Sequence, residues 1–263
     1  MAIAIAPAVV PDVVTPPTQH ELPSDDGIPM ETARHRQQMN LLIETMEIWL
    51  APRPVGYVGG NMFLYFSMHQ VRNQDFRGPD FFLVLDAPRT ERKSWVVWEE
   101  GRGPDVVIEL LSETTAAADK GIKKQVYQNQ LKVLEYYWYD PFDANDWAGF
   151  TLQNGVYVPL APNAQQHLVS PLLNLALVRW HGVFQQVEAI WLRWATLDGS
   201  LLPTQAEMTE ATRQQAEAEA QRAETEAQRA EAATQRAEAA EAEVARLQAL
   251  LAQHAAREGQ QGE

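Results

Sequence analysis

The segment "PDVVIELLSETTAAADKGIKKQVY" (residues 104–127) sets a glutamate, Glu109, inside an apolar run and follows it with a lysine-bearing stretch. A carboxylate buried in a strand is costly unless it is paired, protonated or bound to a cation. Side chains alternate along a strand, so Asp105, Val107 and Glu109 share one face and Val106, Ile108 and Leu110 the other. Asp105 lies about 13 Å from Glu109 along that face, too far to share an ion with it unless the strand bends. "GPDFFLVL" (78–85) offers a better partner. Asp80 opens this second strand, and neighbouring strands run about 4.8 Å apart. Two carboxylates on adjacent strands suit Mg2+, with water completing its octahedron. Such an ion stabilises charge on a phosphoryl oxygen and helps to generate a nucleophilic hydroxide. Lys123 or Lys124, on the helix that returns over the sheet, can steady the attacking water or offset charge on the phosphate.

Each of these residues also has a plainer reading. Glu109 can form a buried ion pair with Arg102 or a lysine. Asp80 can cap a strand entry, and Asp105 accepts backbone hydrogens at the mouth of its own strand. Lys123 can be a solvated helix lysine. The Pro-Asp dipeptide occurs at 11–12, 79–80 and 104–105, so by itself it marks only a rigid entry into a strand or turn. The combination adds weight: Asp80 opening one strand, Glu109 deep in another, and a lysine shortly afterwards.

The elements that must position these groups are legible in outline. Residues 31–50 carry Met39, Leu42, Ile43 and Met46 at helical spacing without Gly or Pro, and Pro52 and Pro54 follow. Gly56 to Phe66 reads as a Gly-broken strand region, and "FFLVL" (81–85) and "SWVVW" (94–98) as short strands. "DVVIELL" (105–111) is apolar on both faces, as in a strand covered on both sides. Residues 120–131 read as a helix with Asp119 as its N-cap, and "VLEYYWYD" (133–140) as another strand. Strand, helix and strand in this order indicate a crossover unit in a mixed sheet. Asn154-Gly155 marks one hairpin and Asp198-Gly199 a second. His35 is read as a packed or surface imidazole, because nothing places it beside the acidic pair. The aromatics of "EYYWYDP", with Trp95 and Trp98, are read as core, since consecutive strand residues face opposite ways.

Composition divides the 263-residue chain. All eight Trp, seven Tyr and eight Phe fall before residue 200, whereas residues 205–263 have no aromatic and are rich in Ala, Glu, Gln and Arg. Only the first part can bury a sizeable core by itself. The absence of cysteine excludes disulfides and thiolate metal sites. No basic n-region precedes the Pro-broken N-terminal apolar residues, and no run reaches the length of a membrane span, so a cytoplasmic protein is expected. The net charge of −14 disfavours a general phosphate-binding surface without excluding a local cleft. In the tail, "QRAE" recurs at Gln221, Gln228 and Gln235, a seven-residue period. A seam through Ala223, Ala230, Ala237, Val244 and Leu251, with Glu226, Ala233, Ala240 and Leu247, is weak at first and improves toward the C-terminus. Glu219–Arg222, Glu226–Arg229 and Glu243–Arg246 are spaced as i,i+3 pairs.

The stretches "RGPDFFLVLDAPR" (77–89), "SWVVWEEGRGPDVVIELLSETT" (94–115), "DKGIKKQVYQNQLKVLEYYWYDP" (119–141) and "GFTLQNGVYVPL" (149–160) together resemble the Uma2 family, also called DUF820. That group is abundant in cyanobacteria and is placed with the restriction-endonuclease-like, PD-(D/E)XK nucleases. The resemblance implies an α/β fold with a mixed central sheet and flanking helices, and a metal-dependent phosphodiesterase site. Its first acidic position falls on Asp80 and the glutamate of its strand on Glu109. A standard signature puts lysine two residues later, where this chain has Leu111. The family pattern Asp, three residues, Lys, three residues, Tyr falls instead on Asp119, Lys123 and Tyr127, which selects Lys123 over Lys124. Lys123 and Tyr127 also share one helix face. Asp105, Ser112, Asp119 and Tyr127 are candidates for supporting the three central residues.

The resulting expectation is an endonuclease that binds Mg2+, or Mn2+ in its place, through Asp80 and Glu109, with Lys123 as catalytic cation and DNA as substrate. The organisation expected is a flexible arm (1–29), a restriction-endonuclease-like domain (30–207), a long helix with a capacity for coiled-coil pairing (208–258) and a disordered tail (259–263). A homo-oligomer, a dimer in the simplest case, follows from the tail and from the need to cut two strands. The alternative is a catalytically inactive nuclease-fold interaction protein that uses its C-terminal helix for oligomerisation or partner binding. No sequence-reading element is evident.

Overall fold

Thr32 opens the first helix: its side-chain oxygen accepts a hydrogen bond from the backbone N–H of His35 at 3.2 Å. Helix α1 (Ala33–Leu50) then buries Met39, Leu42, Met46 and Leu50, a stripe three and four residues apart. The computed structural model describes residues 16–24, 32–67 and 76–259, with side chains as far as residue 252. The expected N-terminal arm lies largely outside the described residues. So does the expected tail, except for Gly259, which closes the last helix.

After α1 come β1 (Tyr57–Gly59), β2 (Leu64–Tyr65), β3 (Phe76–Arg77), β4 (Phe81–Val84) and β5 (Trp95–Val96). A helical turn, α2 (Val97–Glu100), leads to β6 (Val106–Leu110). A longer helix, α3 (residues 116–131), precedes β7 (Glu135–Tyr139), β8 (Trp147–Gln153) and β9 (Val156–Pro159). β10 (Leu168–Ser170), β11 (Leu175–Phe184) and β12 (Val187–Ala195) follow. The central sheet is six-stranded in the order β1-β4-β6-β7-β8-β9. Only its β6–β7 pair is parallel, and that pair is joined through α3, as the crossover reading requires.

The two faces of β6 sort as the alternation dictates. Val106, Ile108 and Leu110 join α1, Phe81, Leu83 and the β10-β11-β12 sheet in one core. Val107 joins Phe82, Val126, Tyr127, Leu131 and Tyr136 in a second core beneath α3. Both faces of the sheet centre are therefore dry, and β6 is buried along its full length.

Three local expectations are corrected. "SWVVW" is a strand only at Trp95 and Val96, after which the chain turns into α2 and ends at Gly101 in the left-handed region. Asp119 does not cap the following helix, because helical structure begins at Ala116 and Asp119 lies inside it, buried. Asp198-Gly199 forms a tight turn closed by a single bridge, Ala195 to Leu201. The long hairpin instead joins β11 to β12 through Gln185 and Gln186, both at positive φ. Glutamines at a tight hairpin turn lack the Asn-Gly signature. The hairpin at Asn154-Gly155 forms as read.

The chain divides into two compact units at residues 205 and 206. The second is one helix, α4 (Gln205–Gly259), 55 residues long. From Gln205 to residue 252 every side chain of α4 is exposed, including Val244, Leu247, Leu250 and Leu251. Of the three spaced ion pairs, Glu243–Arg246 forms, at 3.6 Å. Glu219 is taken instead by Gln215, and Arg213 bridges Glu210 and Glu217. Among the described residues no helix is long and apolar enough to cross a membrane.

Candidate active site

Asp80 and Glu109 are brought together by strand register. β4 runs antiparallel to β6 with Phe81 opposite Ile108, so one further step puts Asp80 opposite Glu109. Directly opposed residues of an antiparallel pair project to the same face. The two carboxyl groups act on each other electrostatically, and Asp80 Oδ2 accepts the backbone N–H of Leu110 at 2.7 Å. Asp80 is held from behind by a close backbone approach. A Cβ on Gly60 would lie 2.2 Å from the Asp80 carbonyl oxygen, and the Asn61 N–H donates to the neighbouring Pro79 carbonyl at 2.9 Å. Glu109 is 1% exposed, whereas Asp80 is half-buried and opens the site to solvent.

Helix α3 supplies the remaining groups. It alternates α-helical and π-helical turns, with π geometry at Asp119–Lys123 and at Tyr127–Leu131. In an α-helix four residues overshoot a full turn by about 40°. A π turn is wider, so the same four residues fall short of one. Alternating the two keeps Asp119, Lys123 and Tyr127 aligned on the face that looks down on Glu109. Tyr127 Oη donates to Glu109 Oε1 at 2.7 Å. Lys123 Nζ lies 3.3 Å from Glu109 Oε2 and 2.6 Å from Asp119 Oδ1. Tyr136 Oη donates to the Asp119 carbonyl at 2.8 Å, fixing the π turn to β7.

Burial and mutual repulsion dominate the electrostatics. Burial, reinforced by the neighbouring Asp80 and Asp119 charges, pushes Glu109 up to about 8, against the pull of Lys123. Burial raises Asp80 to about 6, with the Leu110 N–H and the Lys123 ammonium opposing it. Burial alone would lower Lys123, but Glu109, Asp119 and Asp80 hold its ammonium well above the ordinary lysine range. The Tyr127 phenol is raised by burial and by Glu109, so it stays a donor. Each strand carboxyl is thus held above its ordinary range, as neighbouring acids in a dry site are.

The other candidates are placed elsewhere. Asp105 accepts the Leu85 N–H at 2.7 Å and pairs with Arg102 at 3.1 Å. It pins β6 to the end of β4, and its bonds go to those groups rather than to Glu109. Arg102 is therefore not the partner of Glu109. Ser112 bonds Thr114 and Thr115 in the loop before α3. Lys124 turns away and packs 3.4 Å above the Phe150 ring. His35 is buried, with Nε2 2.9 Å from the Leu111 carbonyl oxygen, and ties α1 to the end of β6. Two contributors escaped the sequence reading. Gly60 left only the general mark of a glycine in a strand, and Arg77 stood three residues before Asp80. Arg77 acts electrostatically on the Tyr127 phenol, which places a cation near the site.

The family profile of Uma2, described as "Putative restriction endonuclease", matches residues 11–180. The chain belongs to the Uma2 family. No curated protein matches it. A solved structure similar to the Uma2 chain is described as "a putative nuclease belonging to DUF820 from Anabaena variabilis ATCC 29413", with 17% identity and a TM-score of 0.39 over 57% of this chain and 88% of that one.

The site of this Uma2 protein fits a hard divalent cation. It offers two carboxylates on one face of adjacent strands, and a third, Asp119, whose Oδ2 is buried without a hydrogen-bond partner. Among the described residues no group of three or more His, Asp or Glu is arranged around one metal position. Two carboxylates with water and substrate oxygens are the usual set for Mg2+, whereas Ca2+ favours a fuller protein cage.

Proposed function

We propose that this protein is a metal-dependent endonuclease of the cytoplasm that hydrolyses DNA phosphodiester bonds, with Mg2+ or Mn2+ held by Asp80 and Glu109. The observation that supports this reading is the register that sets a buried carboxyl, Glu109, beside a half-buried one, Asp80, beneath a lysine, since folding gains nothing from repulsion between them. Bound there, the ion supplies Lewis-acid stabilisation of phosphoryl charge and acidifies water. Asp80, at the solvent edge, meets the incoming phosphate side. Glu109, fixed through Tyr127, would hold the ion together with Asp80. Lys123 presents an ammonium beside them that can neutralise the extra charge of the pentacovalent phosphate or orient the attacking water. Arg77 adds positive charge near the site despite the acidic chain, which supports an anionic polymer as substrate.

Plasmid DNA incubated with purified protein and Mg2+ or Mn2+ tests this. Wild type should nick the plasmid, while Glu109→Ala and Asp80→Ala should each lower the rate by at least about a hundredfold. Equal cleavage by wild type and Glu109→Ala would end the proposal.

A second reading is that the fold serves as an inactive scaffold whose α4 recruits a partner or a second copy. The exposed Val244, Leu247 and Leu251 on a heptad seam support it. In that case Mg2+ should show no binding that depends on Asp80 and Glu109.

A further inference from the structure

We propose that Asp119 is a positioning residue to which the Lys123 ammonium withdraws when a divalent ion takes Glu109, so that lysine and metal compete for one carboxylate. This rests on the metal-centre reading above and adds a control on that same site. Lys123 Nζ stands between two carboxylates that are each 1% exposed, at 2.6 Å from Asp119 and 3.3 Å from Glu109. Fully formed charged hydrogen bonds close to about 2.7–2.9 Å. The hydrogen bond to Glu109 is thus made but long, while Asp119 Oδ1 is held by charge at close range without a hydrogen bond. Asp119 precedes Lys123 by one helical turn, and the Tyr136 hydroxyl anchors its carbonyl, so Asp119 stays in place while the lysine side chain rotates. Both Asp119 carboxylate oxygens are buried without a hydrogen-bond partner and can accept ammonium protons.

Charge accounting favours the exchange. Counted by formal charge, three carboxylates and one ammonium leave the cluster at −2. A dication on Asp80 and Glu109, with Lys123 wholly on Asp119, resolves it into two neutral groups. A dication beside a lysine still resting on Glu109 would set like charges a few ångströms apart in a buried site, which costs far more there than in water. Lys123 is 22% exposed, so its ammonium can reach the new position without dragging the helix.

Calorimetric titration of the full-length protein with Mg2+ tests the exchange. Lys123→Met removes the competitor and should bind Mg2+ about tenfold tighter than wild type. Asp119→Asn strands the ammonium on Glu109 and should bind about tenfold more weakly. The double variant should match Lys123→Met, because Asp119 has nothing left to hold. Lys123→Gln is measured alongside, and circular dichroism establishes that each variant is folded. If wild type binds through Glu109 but neither lysine variant binds tighter, the exchange is refuted and the metal centre stands. If Asp119→Asn weakens binding equally in the Lys123→Met background, Asp119 acts as a ligand or a structural support and the proposal fails. If neither wild type nor the lysine variants bind Mg2+, both the exchange and the metal centre fall.

Discussion

Glu109 is expensive to bury, and its neighbours show how the cost is met. One oxygen takes the Tyr127 hydroxyl, the other faces Lys123, and the carboxyl keeps its proton to unusually high pH. Tyr127→Phe leaves that buried oxygen without its donor, and should lower stability by about 1–3 kcal/mol in chemical denaturation. Gly60→Ala should push the Asp80 backbone away from Glu109, weakening Mg2+ binding about tenfold or more while the protein remains folded by circular dichroism. At this scale the sequence was informative where chemistry conflicts with burial. Glu109 stood out because an apolar strand has no ordinary use for it, and its lysine partner could be narrowed to Lys123. Asp105, read as an acceptor of backbone hydrogens at the strand mouth and a candidate for a supporting role, accepts the Leu85 N–H and pairs with Arg102. Gly60 was invisible because its role is to leave room for a carbonyl on another strand.

Among the elements, β6 and α3 matter most. The crossover from β6 to β7 was readable from strand, helix and strand patterning, but the π turns were not. A helix of ordinary propensity gives no sequence signal for widening, and here the widening aligns Asp119, Lys123 and Tyr127. The hairpin at Gln185 and Gln186 was hidden because its turn residues adopt positive φ without the usual Asn or Gly. α4 makes its own prediction. A 55-residue helix with exposed Val244, Leu247 and Leu251 on one heptad seam should pair with a second copy, and in parallel register Arg236 meets Glu241 of the other chain across the flanking positions. Sedimentation should show a dimer for wild type and a monomer for Leu247→Lys combined with Leu251→Lys. A monomer in both cases would make α4 an isolated helix.

For the molecule as a whole, the raised carboxyl groups link metal, proton and stability. Glu109 titrates near 8 when folded, against an ordinary value of 4.5, and Asp80 near 6 against 3.8, so the metal-free folded state binds more protons than the unfolded chain. Their contribution therefore makes the metal-free protein less stable as pH rises from about 4 to about 8, and level above that. A divalent ion replaces those protons, so the rise in melting temperature produced by Mg2+ should be small near pH 5.5 and large near about pH 8.5. A shift independent of pH would mean that the ion binds elsewhere. The proposed metal centre requires one ion lying between two opposed strands. Crystals soaked in Mn2+ and measured at the manganese absorption edge test that directly. An anomalous peak within about 2.3 Å of both an Asp80 and a Glu109 carboxylate oxygen is the predicted result. Density for manganese only at other carboxylates, with Lys123 still resting on Glu109, would contradict it.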